Sequence, residues 1–222
     1  MTTHRLLRRL PIAVCLLFAG IQLGAINPDN LNSISFRNRT GADIEYLYLS
    51  PGDSEYWGTD ILGAENILLD GEIIEFFIHY PDRCNEFDIM AVDEFQDAYI
   101  IFDYEICDGT EENVRFTSND EVETASDLDL MQIDLSNDTG FEILYLFVSP
   151  ADSEMWGVDQ MDAETTLADG GTISLLLPAV ELRYDIHAVD EDGDSYTFFV
   201  DLDGTPGDNV SATIEFDYFD TE

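Results

Sequence analysis

The sequence predicts an all-β protein of two tandem β-sandwich domains, each with about six or seven short antiparallel strands, and three observations carry the prediction. Runs rich in β-branched and aromatic residues alternate with turn signals at intervals of about eight to twelve residues. The stretch from Asn38 to Gly71 returns about 99 residues later with roughly nineteen identities over about 34 positions, which marks a duplication. Nothing in the chain shows the apolar period of an amphipathic helix.

The chain opens as an export leader. Arg5, Arg8 and Arg9 precede an apolar run from Leu10 to Leu23 that is too short to span a membrane, and small residues Gly24 and Ala25 follow. Cleavage near Ala25 is expected, by the general secretory route or, given Arg8-Arg9, a twin-arginine one. The expected organisation is a signal peptide over 1–25, a first repeat over 26–117, an acidic linker over 118–129 and a second repeat over 130–222. No stable membrane insertion is expected once the leader is gone.

The first repeat begins with a weakly alternating strand, Ile34 to Arg37, and turns at Asn38-Arg39-Thr40-Gly41. Ile44 to Leu49 follows with apolar groups on both faces, so it should be covered on both sides, as in a sandwich. Ile133 to Leu135, Asn137-Asp138-Thr139-Gly140 and Ile143 to Val148 repeat the pattern. Next comes Ser50-Pro51-Gly52-Asp53-Ser54-Glu55-Tyr56-Trp57-Gly58-Thr59-Asp60, matched by Ser149 to Asp159, a box that holds both tryptophans of the protein. Serine, proline and aspartate at cap, first and third positions predict a short helical turn closed by Gly58 or Gly157. Trp57 and Trp156 would then be anchors plugging one end of each sandwich. Turns at Leu68 to Gly71 and Leu167 to Gly170 lead into strands Ile73 to Ile78 and Ile173 to Leu177. Hairpins follow from Phe87 to Asp103 and from Tyr184 to Asp201, the second through the turn signal Asp192-Gly193. Val114 to Thr117 and Ser211 to Tyr218 close the two units.

Composition narrows the function classes. The chain has eight basic residues, all arginine, against 48 acids; removing the leader leaves five arginines and every acid, a net charge of −43. Such a surface repels nucleic-acid phosphate, so no nucleic acid partner is expected. Hydrophobic residues at 45% and aromatics at 12% suffice for two small cores, which excludes disorder and points to a folded protein of a saline environment, a halophilic acidic surface. Cys15 leaves with the leader, and Cys84 and Cys107 remain. Their counterparts Glu181 and Gly204 are absent as cysteines together, the pattern a disulfide predicts; two unpaired thiols are the alternative. Such a bridge stabilises by about 3 kcal/mol in the chain-entropy model.

Carboxylates supply the candidate site. Asp53 and Asp60, with Asp152 and Asp159, could converge at a sandwich end to hold calcium, which takes several oxygen ligands. Asp190-Glu191-Asp192-Gly193-Asp194 resembles the opening of a calcium loop, but Ser195 stands where glycine is needed and Asp201 replaces the bidentate glutamate, so a solvated hairpin competes with Asp190, Asp192 and Asp194 as ligands. His79 and His187 occupy unrelated positions, and Ser54 and Ser153 recur without a histidine, which argues against a nucleophilic triad. Asn38, Asn137 and Asn209 fit the glycosylation sequon, the first two inside a duplicated turn that explains them more simply.

The run Asn-x-Thr-Gly, then Ser-Pro-x-Asp-Ser-x-x-Trp-Gly-x-Asp, Cys, Asp-Ile-x-Ala-Val-Asp and Cys resembles a family of small exported bacterial proteins of unassigned function, many with one such unit. The resemblance covers nearly all of each copy and places that family's cysteine pair on Cys84 and Cys107. Such proteins are sometimes labelled argininosuccinate lyase, a large helical tetramer with a serine-bearing signature loop; this chain shows neither feature. The expectation is an exported, periplasmic or extracellular, non-enzymatic interaction or surface module with a protein or glycan partner and calcium as the candidate cofactor. A secreted hydrolase using loop carboxylates and a structural envelope component are the alternatives.

Overall fold

The computed structural model describes residues 26, 31–64, 66–80, 82–108, 112–122 and 129–220. The expected leader and residues 123–128 of the expected linker lie outside them. The fold is all-β. The first copy contributes β1 (Asn32–Arg39), β2 (Ile44–Pro51), β3 (Ile73–His79), β4 (Cys84–Asp93), β5 (Ala98–Cys107) and β6 (Glu112–Thr117). A two-residue strand, β7 (Glu121–Val122), follows in the stretch expected as linker and pairs with the edge of β5. The second copy contributes β8 (Leu130–Asp138), β9 (Ile143–Pro150), β10 (Gly157–Asp162), β11 (Thr172–Pro178), β12 (Glu181–Asp190), β13 (Ser195–Asp203) and β14 (Asn209–Glu215), then a 3-10 turn at Phe216–Tyr218. Among the described residues no helix is long and apolar enough to cross a membrane.

Each copy packs two small groups of strands over a core, the first core also taking in Met155 and Val158 of the second copy. In the first, β1 lies between β3 and β6, and its alternation turns Ile34 and Phe36 inward, where Phe36 meets the rings of Phe76 and Phe116. Opposite lie β2, β4 and β5, contributing Leu47, Leu49, Phe87, Ile89 and Ala91. The second copy repeats this with β8 between β11 and β14, facing β9, β12 and β13. The strand expected to be apolar on both faces is covered on both: Leu47 and Leu49 face the core, while Tyr48 joins Met90, Val92 and Trp57 on the other side. Two expectations are corrected. The sheets are not wholly antiparallel, because β6 runs parallel to β1 and β14 to β8; strand alternation specifies which face is buried and leaves direction open. Nor is the Trp-Gly box helical: Pro51 and Pro150 carbonyls accept from the Ser54 and Ser153 amides across a single β-turn, and the chain then runs extended.

That extended run joins the copies. β10 pairs with β9 of its own copy and with β3 of the other, giving one seven-stranded sheet in the order β13-β12-β9-β10-β3-β1-β6. The first copy answers along the same path with sparser bonding: Ile61 donates to the Leu47 carbonyl at 2.8 Å, and Asp60 donates to the Leu176 carbonyl on β11 at 2.7 Å. The run after the second copy's box is thus a strand shared between the two copies, and the first copy's run makes the reciprocal crossing through single backbone bonds, around a pseudo-twofold axis.

Local details follow the duplicated sequence. Asn38 is fully buried and spends its whole amide in the turn, donating to the Ala42 and Leu68 carbonyls and accepting from the Thr40 amide and hydroxyl; Asn137 does the same with Phe141, Leu167 and Thr139. Neither amide is open to glycosylation, and Asn209 is exposed. Cys84 and Cys107 form a disulfide across paired positions of β4 and β5. In the second copy the backbones close in instead: a Cβ on Gly204 would lie 2.5 Å from the Glu181 nitrogen.

Candidate functional site

The seven aspartates singled out in the sequence fall into three separate arrangements. Asp53 and Asp152 lie on either side of the axis and exchange bonds. Asp53 accepts the Ser153 hydroxyl and the Glu154 amide, both at 2.8 Å; Asp152 accepts the Ser54 hydroxyl at 2.8 Å and the Glu55 amide at 3.1 Å. Both oxygens of each carboxylate therefore face the other copy. An aspartate one residue into a turn is well placed for this, since the turn leaves the next amides pointing outward.

Asp60 and Asp159 pin the shared strands. Asp60 is fully buried; its Oδ1 accepts the Leu47 and Leu62 amides at 2.9 and 3.2 Å, and its Oδ2 meets no hydrogen-bond partner among the described residues. Burial pushes its pKa up to about 7 against the pull of those two amides. Asp159 accepts from Leu146 and Met161 with the same geometry, and burial raises its pKa well above the carboxylate range. Asp190 anchors the β12–β13 hairpin, accepting the Asp192 and Asp194 amides and the Tyr196 hydroxyl. Asp93 makes the equivalent bonds with Phe95, Asp97 and Tyr99, so the arrangement is the same in the hairpin without the acidic run. Among the described residues, the ligand-type side chains that come within 4.8 Å of one another as a group of three are Cys84, Glu105 and Cys107, two of them held in the disulfide.

The tryptophans differ. Trp156 is buried and lies against the His187 ring, centroids 4.8 Å apart, whereas Trp57 is half-buried against Tyr48 and Phe102. Gly58 and Gly157 are both buried where the box turns into the shared strand, Gly58 donating to the Ser50 hydroxyl at 2.8 Å and Gly157 holding a φ of +75°.

A cleft of about 530 Å³ opens on the pseudo-twofold axis. Equivalent positions of the two copies line it in pairs: Ile61 and Gln160, Leu62 and Met161, Gly63 and Asp162, Asn66 and Thr165, Ile74 and Ile173, Phe76 and Leu175. Its floor is aliphatic with one aromatic ring. Gln132, Thr172 and Ser174 add amide and hydroxyl groups along the second copy's side. Gln160 is buried, its amide donating to the Val158 carbonyl and its oxygen accepting the Thr59 hydroxyl, so the seam fixes its rotamer. Ser174 and Gln132 are both steered by Asp134, which accepts from each at 2.6 Å and from Asn209 at 2.8 Å; these bonds hold its pKa below the usual range. Among the described residues, the lining has no cationic side chain and a single carboxylate, Asp162, whose Oδ1 already accepts the Glu164 amide and the Thr165 hydroxyl.

Sequence reasoning missed this cleft, yet a signal was present. Five of the six paired lining positions differ between the copies, and three of these differences interrupt an otherwise repeated stretch between Asp60 and Ala64. The shared scaffold was retained while the walls facing the axis diverged.

No protein-family model matches the chain, and no curated protein matches it. Two solved structures are similar at low level. The Bacillus anthracis TIE protein aligns at a TM-score of 0.28 and 9% identity over 84% of this chain, which spans 34% of that chain. A carbohydrate-binding module of family CBM26 from Eubacterium rectale Amy13K, solved in complex with maltoheptaose, aligns at a TM-score of 0.26 and 15% identity, covering 82% of this chain and 90% of that one.

Proposed function

We propose that this is an exported, non-catalytic binding module whose ligand seat is the axial cleft and whose ligand is a neutral, hydroxyl-rich molecule, a glycan segment. The carrying observation is the lining: an apolar floor with amides and hydroxyls on its walls and, among the described residues, no cationic group. Apolar floors take the C–H faces of a sugar ring, while amides and hydroxyls exchange hydrogen bonds with its substituents. The net charge of −43 and Asp162 together disfavour acidic glycans. Hydrolysis with two carboxyls would need a facing pair in the cleft; among the described residues Asp162 stands there singly, and Asp60 and Asp159 are sealed in the seam.

Calorimetric titration of the processed protein with neutral and uronic-acid oligosaccharides in high salt tests the proposal. Binding of a neutral oligosaccharide that Thr172→Trp abolishes, with the protein still folded by circular dichroism, is the expected result; Thr172 is exposed at the cleft, so a larger side chain there extends into its mouth. Absence of binding to any neutral glycan, or binding indifferent to that substitution, would overturn it.

A further inference from the structure

On its outer face the second copy's aromatic cluster takes in the Ile26 side chain, which the matching cluster of the first copy, Tyr48, Met90 and Val92, does not touch. Trp156, Phe147 and Val189 enclose the Ile26 side chain, which is 5% exposed, and His187 completes the wall by stacking on Trp156. In the first copy Met90 occupies the position of His187. The Ile26 nitrogen lies 3.5 Å from His187 Nε2. On the other side of the ring, Nδ1 is 2.8 Å from Thr197 Oγ1, and that hydroxyl is 2.7 Å from an oxygen of Asp220.

The direction of these bonds is fixed by chemistry. The Thr197 hydroxyl donates to Asp220, so its oxygen receives the Nδ1 proton. Nε2 then carries the lone pair and faces the Ile26 nitrogen. Burial pushes the His187 pKa down to about 4, so the ring is neutral at neutral pH and can serve as this acceptor. An acceptor backed through two hydrogen bonds by a carboxylate is better matched to an ammonium donor than to a peptide amide.

We propose that this pocket is the docking site for the α-amino terminus of the processed chain, which begins at Ile26. Removal of the leader after Ala25 creates an amino group at the atom that faces His187 Nε2, and the isoleucine side chain fills the aromatic cage beside it. Leader removal and sealing of the second copy's outer face are then one event. This rests on the export reading and is independent of the ligand in the axial cleft.

The chain contains no lysine, so the α-amino group is the sole primary amine of the protein and amine labelling reports on it without interference. Three chains are released from a cleavable tag: one starting at Ile26, one with a single glycine added before Ile26, and one starting at Ile26 with His187→Ala. Each is treated with an amine-reactive ester in native buffer and in denaturant, and labelling is followed by intact mass. The Ile26 chain should label at least tenfold more slowly in native buffer than when unfolded, while the glycine-extended and His187→Ala chains lose most of that protection. His187→Gln, whose amide oxygen can accept in place of Nε2, should restore part of it, which separates the acceptor role from simple packing. Labelling of the folded Ile26 chain at the unfolded rate overturns the docking site. The intact mass of the protein exported on its own leader decides the other half. A chain beginning at Ile26 supports the coupling, a different first residue overturns it, and a retained leader overturns the export reading while leaving the labelling result to stand alone.

Discussion

Asp60→Asn should remove much of the protein's loss of stability between pH 5 and pH 8. Asp60 is buried with two amides on Oδ1 and a pKa lifted from an ordinary 3.8 to about 7. Between those values the unfolded chain has released a proton that the folded chain retains, so stability falls as pH rises through this window and levels off above about pH 7. Integrating the two titrations gives a cost of roughly 2 kcal/mol at pH 5 and roughly 4 kcal/mol at pH 8, so the pH-dependent part is on the order of 2–3 kcal/mol. Asparagine keeps the oxygen that takes the Leu47 and Leu62 amides and cannot ionise. Its buried NH₂ costs about 1–3 kcal/mol if unpaired, but that cost is the same at both pH values and cancels in the comparison. Guanidinium unfolding of both proteins at pH 5 and pH 8 in high salt measures the double difference. Asp159, also raised, is present in both and drops out. An identical pH dependence for the two proteins would refute the buried, strained carboxyl and with it the pinning of the shared strand.

Three further outcomes follow from the same geometry. Asp53→Ala and Asp152→Ala should each destabilise by about 1 kcal/mol, since each removes two partly exposed hydrogen bonds across the axis, and chemical denaturation of the single and double variants checks this. Gly204→Ala should cost more than 2 kcal/mol in the same assay, because φ is +73° and the new Cβ would lie 2.5 Å from the Glu181 nitrogen and 2.6 Å from the Val180 carbonyl carbon. Calcium should raise the melting temperature no more than magnesium at equal ionic strength, because the carboxylates of Asp53 and Asp152 are engaged across the axis and Asp60 and Asp159 are buried; a rise with calcium alone would show a specific site.

Much of each copy could be read from the chain because its determinants are local. Asn38 and Asn137 set their turns through bonds two to four residues away, and the hairpins at Asp93 and Asp190 close over four residues. The box could not be read this way. Ser-Pro-x-Asp is as compatible with a helix start as with a β-turn, and the choice is made by groups about a hundred residues distant: the amides that Asp53 and Asp152 receive belong to the other copy. The shared strand is hidden for the same reason, since β10 finds its second partner in β3. Parallel pairing of β6 with β1 likewise leaves no trace in an alternation that serves either direction. His187 gave no signal because its partners, Ile26, Thr197 and Asp220, are scattered in sequence and have no duplicate to expose them.

The two copies form one body through the strands at their seam, and scanning calorimetry of the chain from Ile26 onward, with and without reductant, is the decisive check. A seven-stranded sheet running through both copies, with the Asp60–Leu176 bond as its counterpart across the axis, predicts a single transition whose calorimetric and van't Hoff enthalpies agree. Reducing Cys84–Cys107, which removes about 3 kcal/mol, should lower that transition as a whole. Two resolved transitions, with only the lower one moving on reduction, would show copies that unfold independently and would contradict the shared seam.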